Sequence, residues 1–222
     1  MEVTLYQRNS SDTYSIEGIT KNIVDHLSGD VRGRIFIPSK STTNTLSRLR
    51  GAVEAIFEQG DVNHITGDAH FLSYFLKKSR TILTIHDIER LMSKDFGFIK
   101  RVLYKLFWVT IPSFRCEYIT TISEESKKNI ERYGGIPKER IRLIYDGVDE
   151  KFRPLGLSLQ EKNKLLLNEQ NKKTVLHVSD ARKIKNTLRL IEAMKDLNIK
   201  LIKVGALRSE EAALLDQYKI EF

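Results

Sequence analysis

The chain has 222 residues, enough for one large or two small domains. Hydrophobic residues make up 41%, which excludes a disordered chain, and the single cysteine, Cys116, excludes an internal disulfide and fits a reducing compartment. The net charge of +8 favours negative partners: nucleic acid, anionic lipid or phosphorylated small molecules.

The N-terminus, "MEVTLYQRNSSD", is polar and lacks the apolar core of a signal peptide. No apolar run approaches the ~20 residues that a membrane span needs. A cytoplasmic chain is expected, with at most a surface contact to a membrane. Glu2 to Tyr6 alternates like a first strand, and a helix is predicted around Ile19 to Leu27. Arg34 to Ile37 reads as a second strand. Thr45 to Glu58 reads as a helix with Leu46, Leu49, Val53 and Ile56 on one face. "DVNHIT" is a third strand, "AHFLSYFL" a short helix, and "RTILTIHD" a fourth strand, apolar enough to be buried on both faces.

Phe98 to Val109 reads as a helix that carries Lys100, Arg101 and Lys105, with Trp108 near its end. A basic amphipathic helix of this kind suits an anionic lipid surface; a core helix with a solvated basic face has the same pattern. Ile119 to Ile122 is β-branched and reads as a strand. Ser123 is a helix N-cap, and Glu124 and Glu125 then suit the positive first turn. Gly134-Gly135 stops that helix. Ile141 to Tyr145 is a further strand, closed by Asp146-Gly147. Strand and helix alternate throughout, which argues for a doubly wound α/β domain.

Residues 152–173 read as a linker with a short helix over Leu159 to Asn168. The rhythm then restarts: "TVLHVSD" is a strand, "NTLRLIEAMKDL" a helix, "IKLIKVG" a strand and "SEEAALLDQY" a helix, while "KIEF" fits the start of another strand. The expected domains are 1–155, a linker at 156–173, and 174–222, which has too few strands for a finished α/β domain.

Neither a G-x-G-x-x-G nor a G-x-x-x-x-G-K-[ST] fingerprint is present, and nothing in the sequence marks a nucleic-acid motif, so no nucleic acid is expected. His86-Asp87 ends an apolar strand, whereas the metal-dependent phosphohydrolases that carry this dipeptide place it in an all-helical domain. His64, Asp68 and His70 have metal-like spacing, but histidines so placed also line pockets or bond to backbone; no metal is expected. Ligands of open parallel sheets sit at the carboxyl ends of strands. His86, Gly67, Asp68, Asp146 and Gly147 all follow strands, and Gly18 is expected just before the first helix. Arg182, Lys183 and Lys185 stand at the next strand-to-helix joint, where they suit a phosphate; a solvated basic turn looks the same.

"ITTISEESKKNIERYGGIPKERIRLIYDGVDEKFRP" resembles the end of the N-terminal domain in family 4 glycosyltransferases of the GT-B fold. "DVNHITGDAHFL", "TILTIHD", "LHVSDARKIKN" and "IKLIKVGALRSEEAALL" resemble the same family in the same order. The resemblance implies two Rossmann-like domains, an acceptor side and a nucleotide-sugar donor side, and hexosyl transfer with retention and no cofactor. It implies that His86 is the catalytic histidine that approaches the donor sugar. Lys185 would bind donor phosphate with Arg182 as its companion, and Gly18 would belong to the first cleft loop. The implied acceptor is a glycan or a lipid-linked glycan. Apart from the resemblance, the residues of the basic helix from Lys100 to Trp108 suit a peripheral contact with an anionic membrane.

Three positions depart from the family. The first loop reads Glu17-Gly18 instead of a Gly pair, and Ser179-Asp180 stand where many members have Arg. The family's acidic donor-binding motif is not reached, so the second domain is expected to be incomplete. The rival expectation is a remnant that binds acceptor or nucleotide without catalysis.

Overall fold

The computed structural model describes residues 1–9, 15–93, 96–148, 152, 154, 156, 158, 161 and 173–222. The chain forms two compact units, Met1–Glu150 and Lys151–Phe222. The helix expected over Leu159 to Asn168 lies outside the described residues, apart from residue 161.

The first unit is built on six parallel strands: β1 (Glu2–Tyr6), β2 (Arg32–Phe36), β3 (Val62–Ile65), β4 (Thr81–Thr84), β5 (Tyr118–Thr121) and β6 (Ile141–Leu143), in the order β2-β1-β3-β4-β5-β6. The second strand begins two residues earlier than its apolar run suggests, because Glu2 to Tyr6 pair in register with Arg32 to Phe36. The order reverses between β1 and β3, which makes their carboxyl ends the switch point of the sheet. Tyr6, Ile65, Leu83, Ile119 and Ile141 share one face and form the main core with Ala52, Phe71, Ile88, Val109 and Ile130 from the helices and turns packed there.

Helix α1 (Ser15–Asp25) puts Ile19, Thr20 and Ile23 over the opposite face. Gly18 therefore lies in the first turn of α1 and not in a loop before it. A Cβ there would meet nothing within 4 Å, so packing does not demand glycine.

Helix α2 (Thr45–Glu54) starts on Asn44, whose side chain accepts from the Ser47 N–H at 2.8 Å, and tightens into a 3-10 turn over Ala55–Glu58. It buries Gly51, Ala52 and Ala55, while Leu46 is 78% exposed and Leu49 and Val53 are also exposed. The expected apolar stripe is thus the outer face. Small residues win the inner one because the helix runs close to its neighbours: a Cβ on Gly51 would sit 3.0 Å from Pro38 Cβ. Residues His70–Phe75 form a 3-10 turn, and helix α3 (Glu89–Met92) follows β4.

The predicted Phe98 to Val109 helix runs longer. Helix α4 (Phe98–Tyr104) widens into a π-helical turn at Lys105–Thr110 and closes in α5 (Ile111–Phe114). A widened turn leaves carbonyls in search of donors. The Trp108 carbonyl accepts from His70 Nδ1 at 2.5 Å and the Phe107 carbonyl accepts from the Tyr74 hydroxyl. Helix α6 (Glu124–Asn129) begins at Ser123, whose side chain accepts from the Ser126 N–H at 3.0 Å. Its last, π-helical turn ends at Gly135, which takes the left-handed conformation at φ 74°.

The second unit, in its described residues, pairs β7 (Lys173–Val178) with β8 (Ile199–Val204) in parallel and adds α7 (Thr187–Met194) and α8 (Ser209–Gln217). The "KIEF" stretch makes a single parallel bridge, Lys200 to Glu221. Gly205 has φ 105°, and a Cβ there would lie 2.2 Å from the Ser179 carbonyl oxygen, so only glycine fits. Among the described residues no helix is long and apolar enough to cross a membrane.

Tyr6 is fully buried, and its hydroxyl donates to the Glu58 carbonyl at 2.9 Å and lies 3.2 Å from Asn63 Oδ1. Tyr6→Phe should lower the stability of the first unit by about 1 kcal/mol, since Glu58 and Asn63 keep other partners. Urea unfolding followed by the fluorescence of Trp108, the only tryptophan, checks this; an unshifted midpoint refutes it.

Candidate functional site

Successive residues of a strand point to opposite faces. On the face below α1 the strands present His64 and Thr66, Ile82, Thr84 and His86, Tyr118, Thr120 and Ile122, and Arg142 and Ile144. Together with Ile19, Thr20 and Ile23 of α1 and Tyr145 to Gly147 they line a cavity of about 420 Å³.

The wall is mostly apolar, but its floor carries a row of hydroxyls. Thr20 and Thr66 bond side chain to side chain at 3.0 Å, and Thr66 Oγ donates to the Tyr6 carbonyl at 3.1 Å. His64 Nε2 and Thr84 Oγ are 2.7 Å apart, as are Thr84 Oγ and Thr120 Oγ. Burial holds the His64 imidazole neutral and lowers its pKa to about 4, and the neighbouring His86 adds to the effect. His86 itself is half-buried, just past the carboxyl end of β4, where the Ile85 N–H to Thr120 carbonyl bond of 2.9 Å extends the ladder and fixes the backbone.

Three of the sequence-predicted residues meet here: His86, Asp146 and Gly147 line the cavity. Gly18, Gly67 and Asp68 are not among its described lining residues. Gly67 makes a left-handed turn after β3, at φ 63°. Asp68 serves the fold, because its carboxylate accepts from Trp108 Nε1 at 2.7 Å and from Arg8 Nη1 at 3.1 Å. His64 bonds to Thr84, whereas Asp68 and His70 meet the indole N–H and the carbonyl of Trp108, and the described residues include no group of three metal-ligating side chains. Burial pushes the His70 pKa down, against the pull of Asp68 and the Trp108 carbonyl.

In the second unit, Arg182 and Lys185 are both exposed; Arg182 precedes a short 3-10 turn, Lys183–Lys185, and Lys185 ends it. The Arg182 guanidinium is paired with Asp180 at 2.9 Å. Asp180 is held below its usual pKa first by that side-chain bond, and also by the backbone N–H of Arg182 and the charge of Lys185.

The sequence reading missed Thr84, Thr120, Tyr118 and Arg142. The register pairs Thr84 with Thr120, Thr120 with Arg142 and Ile82 with Tyr118, so they share a face with His86 and the same period-two alternation would have found them. It also missed Gln7, which follows β1 at the switch point of the sheet, is 4% exposed, and whose Nε2 has no partner among the described residues.

The model of Glycosyltransferase Family 4 matches residues 1–152. Comparison with curated proteins finds no match. Among solved structures, the chain resembles Anabaena Alr3699/HepE in complex with UDP-glucose, at 16% identity and a TM-score of 0.67 over all of this chain and 67% of that one. It also resembles a glycosyltransferase from Rickettsia africae, at 15% identity and a TM-score of 0.63 over 99% of this chain and 65% of that one. The chain thus spans about two thirds of the length of these structures. At such identity the likeness shows a shared fold: α/β of the GT-B type, with one complete sheet domain and part of a second.

The depressed His64 sets a pH dependence. The unfolded chain protonates this histidine near 6.5 and the folded one near 4, so its contribution is complete above pH 6.5 and is lost as pH falls towards 4. With His64 half-buried, that loss should amount to ~1–3 kcal/mol. Denaturant titrations of wild type and His64→Gln between pH 7 and pH 4 should show the steeper decline in wild type; parallel curves would exclude His64 as the cause.

Proposed function

The chain belongs to Glycosyltransferase Family 4, and from that premise we propose that it serves sugar transfer from a nucleotide-sugar donor to a glycan or glycolipid acceptor. The observation that carries the proposal is His86, at a strand's carboxyl end, in the wall of a cavity that it shares with Asp146 and Gly147. Polar side chains at strand ends around an apolar hollow suit a ring that presents both hydroxyls and C–H faces. The donor is a UDP-hexose, by analogy with the UDP-glucose bound to the Anabaena protein. Transfer retains the anomeric configuration, as the family resemblance implies.

The roles follow from the chemistry. The leaving group is a nucleoside diphosphate, and donors fixed where its charge grows lower the barrier. Lys185 supplies a cation to the diphosphate, and Arg182 a second one once its bond to Asp180 yields. His86 contacts the sugar being transferred, and the loop at Asp146-Gly147 meets the acceptor. No cofactor or metal is required in this scheme. The domain limits that fit it are an acceptor side at 1–155, a linker at 156–173, and the first part of a donor side from 174. A second reading is binding of acceptor or nucleotide without turnover.

UDP release from UDP-glucose and calorimetric titration with UDP together test both readings. His86→Ala should abolish release and leave the UDP dissociation constant nearly unchanged. Lys185→Ala should raise that constant roughly ten- to a hundred-fold, the value of one charge-assisted hydrogen bond. Binding without release selects the second reading. Wild-type release in His86→Ala removes His86 from the site, and an unchanged constant in Lys185→Ala returns the 182–185 turn to solvent.

A further inference from the structure

Helix α4 and its π-helical turn expose two adjoining apolar rows, Phe98, Val102 and Leu106 beside Ile99, Leu103 and Phe107. Phe98 is 79% exposed and Ile99 73%, and the other four are 41% to 49% exposed. This is not a frayed element. The opposite side of the helix is fastened to the core by Val109, which is fully buried, and by Trp108, whose ring stacks on His70 and lies under the Arg48 guanidinium at 4.9 Å. The bonds from His70 and Tyr74 to the Trp108 and Phe107 carbonyls fix its rotation, so the apolar rows are held outward.

The charge within this segment is of one sign, although Glu89 of α3 and Glu131 of the turn after α6 lie on elements packed against it. Lys100, Arg101, Lys105 and Arg115 fall in this segment, and no acidic residue stands between Phe98 and Cys116. Arg115 Nη2 donates to the Leu76 carbonyl at 3.2 Å, which places the exposed Lys77, Lys78 and Arg80 beside the end of the segment.

We infer that this face docks on an anionic lipid surface, with the aromatic and aliphatic rows in the acyl boundary and the lysines at the phosphates. Apolar area and attraction to anionic lipid together set the strength of such contacts. A second copy of the chain fits less well, because self-association would bring the same cations against each other. The inference does not depend on the transfer chemistry, and vesicle binding can fail or succeed whatever the UDP-glucose assay shows.

Sedimentation of the 222-residue chain with phosphatidylglycerol vesicles, and with phosphatidylcholine vesicles as control, tests it. Wild type should sediment with the anionic vesicles only, and high salt should weaken the binding. Phe98→Asp with Ile99→Asp should reduce partitioning about tenfold or more, and so should Lys100→Glu with Lys105→Glu. Thermal midpoints confirm that the variants fold; all four positions are exposed, and if one pair unfolds the other carries the test. Absence of wild-type binding, or binding that neither pair weakens, overturns the inference. So does a wild-type dimer in ultracentrifugation that Phe98→Asp with Ile99→Asp makes monomeric, since the face would then be the seat of a second copy.

Discussion

The period-two alternation of a parallel sheet governs the first unit. Each strand must send half its side chains to each face, and the two faces are used differently. Tyr6, Ile65, Leu83, Ile119 and Ile141 close the core against the helices and turns on their side. Their neighbours in sequence, His64, Thr66, Thr84, Thr120 and His86, are turned the other way and floor a cavity. A slip of one residue in any strand would bury its site residue and expose a core residue. The ladder that stabilises the fold and the geometry of the site are therefore one constraint. The threonines show why the site face tolerates polarity: Thr66 meets Thr20 of α1, and Thr84 meets His64 and Thr120 on the adjacent strands, so these hydroxyls are satisfied.

A second constraint ties the core to the surface. The π-helical turn at Lys105–Thr110 displaces carbonyls from the regular helical ladder, and buried His70 and half-buried Tyr74 meet them. Asp68 joins the same network by holding Trp108 Nε1 on one side and Arg8, just after β1, on the other. The loop after β3, the end of β1 and the long helix thus share one set of polar bonds. Such a network fixes which way the helix faces, and it explains how an apolar row can remain exposed without the helix rolling over to bury it. Rolling would break the His70, Tyr74 and Asp68 bonds together, and each donor or acceptor abandoned in the core would be costly.

Local chemistry was legible in the sequence. Ser123 caps its helix and Gly135 ends it because both effects depend on a few consecutive residues. His86 at a strand end followed from the apolar run before it. The orientation of α2 was not legible, for periodicity reports that a helix has an apolar side but not which side meets the core. There the decision lay with Gly51 and Ala52, whose small size permits the close approach to Pro38 and Phe71. Gly18 was misplaced because the helix starts at Ser15, earlier than its apolar pattern. The partner of Asp68, Trp108, is forty residues away in sequence, and no spacing rule reaches it.

The second unit shows how fixed charge limits what its cations can do. Arg208 is tied to Glu211, which is fully buried; burial raises that carboxyl's pKa, but the hydrogen bonds from Arg208 at 2.8 to 3.0 Å outweigh it and keep the group ionised. Glu211 lies inside the fold, and Arg208 is already committed to it. Arg182 and Asp180 form the exposed counterpart, joined at 2.9 Å through both guanidinium and backbone. Under the proposed function, an incoming diphosphate would have to compete with Asp180 for Arg182, and the carboxylate left behind would then stand next to the bound anion. Lys185 is not asked to exchange a hydrogen-bonded partner in this way; it feels Asp180 only as a nearby charge. Under the proposed function, a ligand phosphate would therefore gain more from Lys185 than from Arg182, although arginine is the better phosphate fork in isolation. In a donor site built on this turn, anion affinity would be decided by which cation is already committed, not by which is intrinsically stronger.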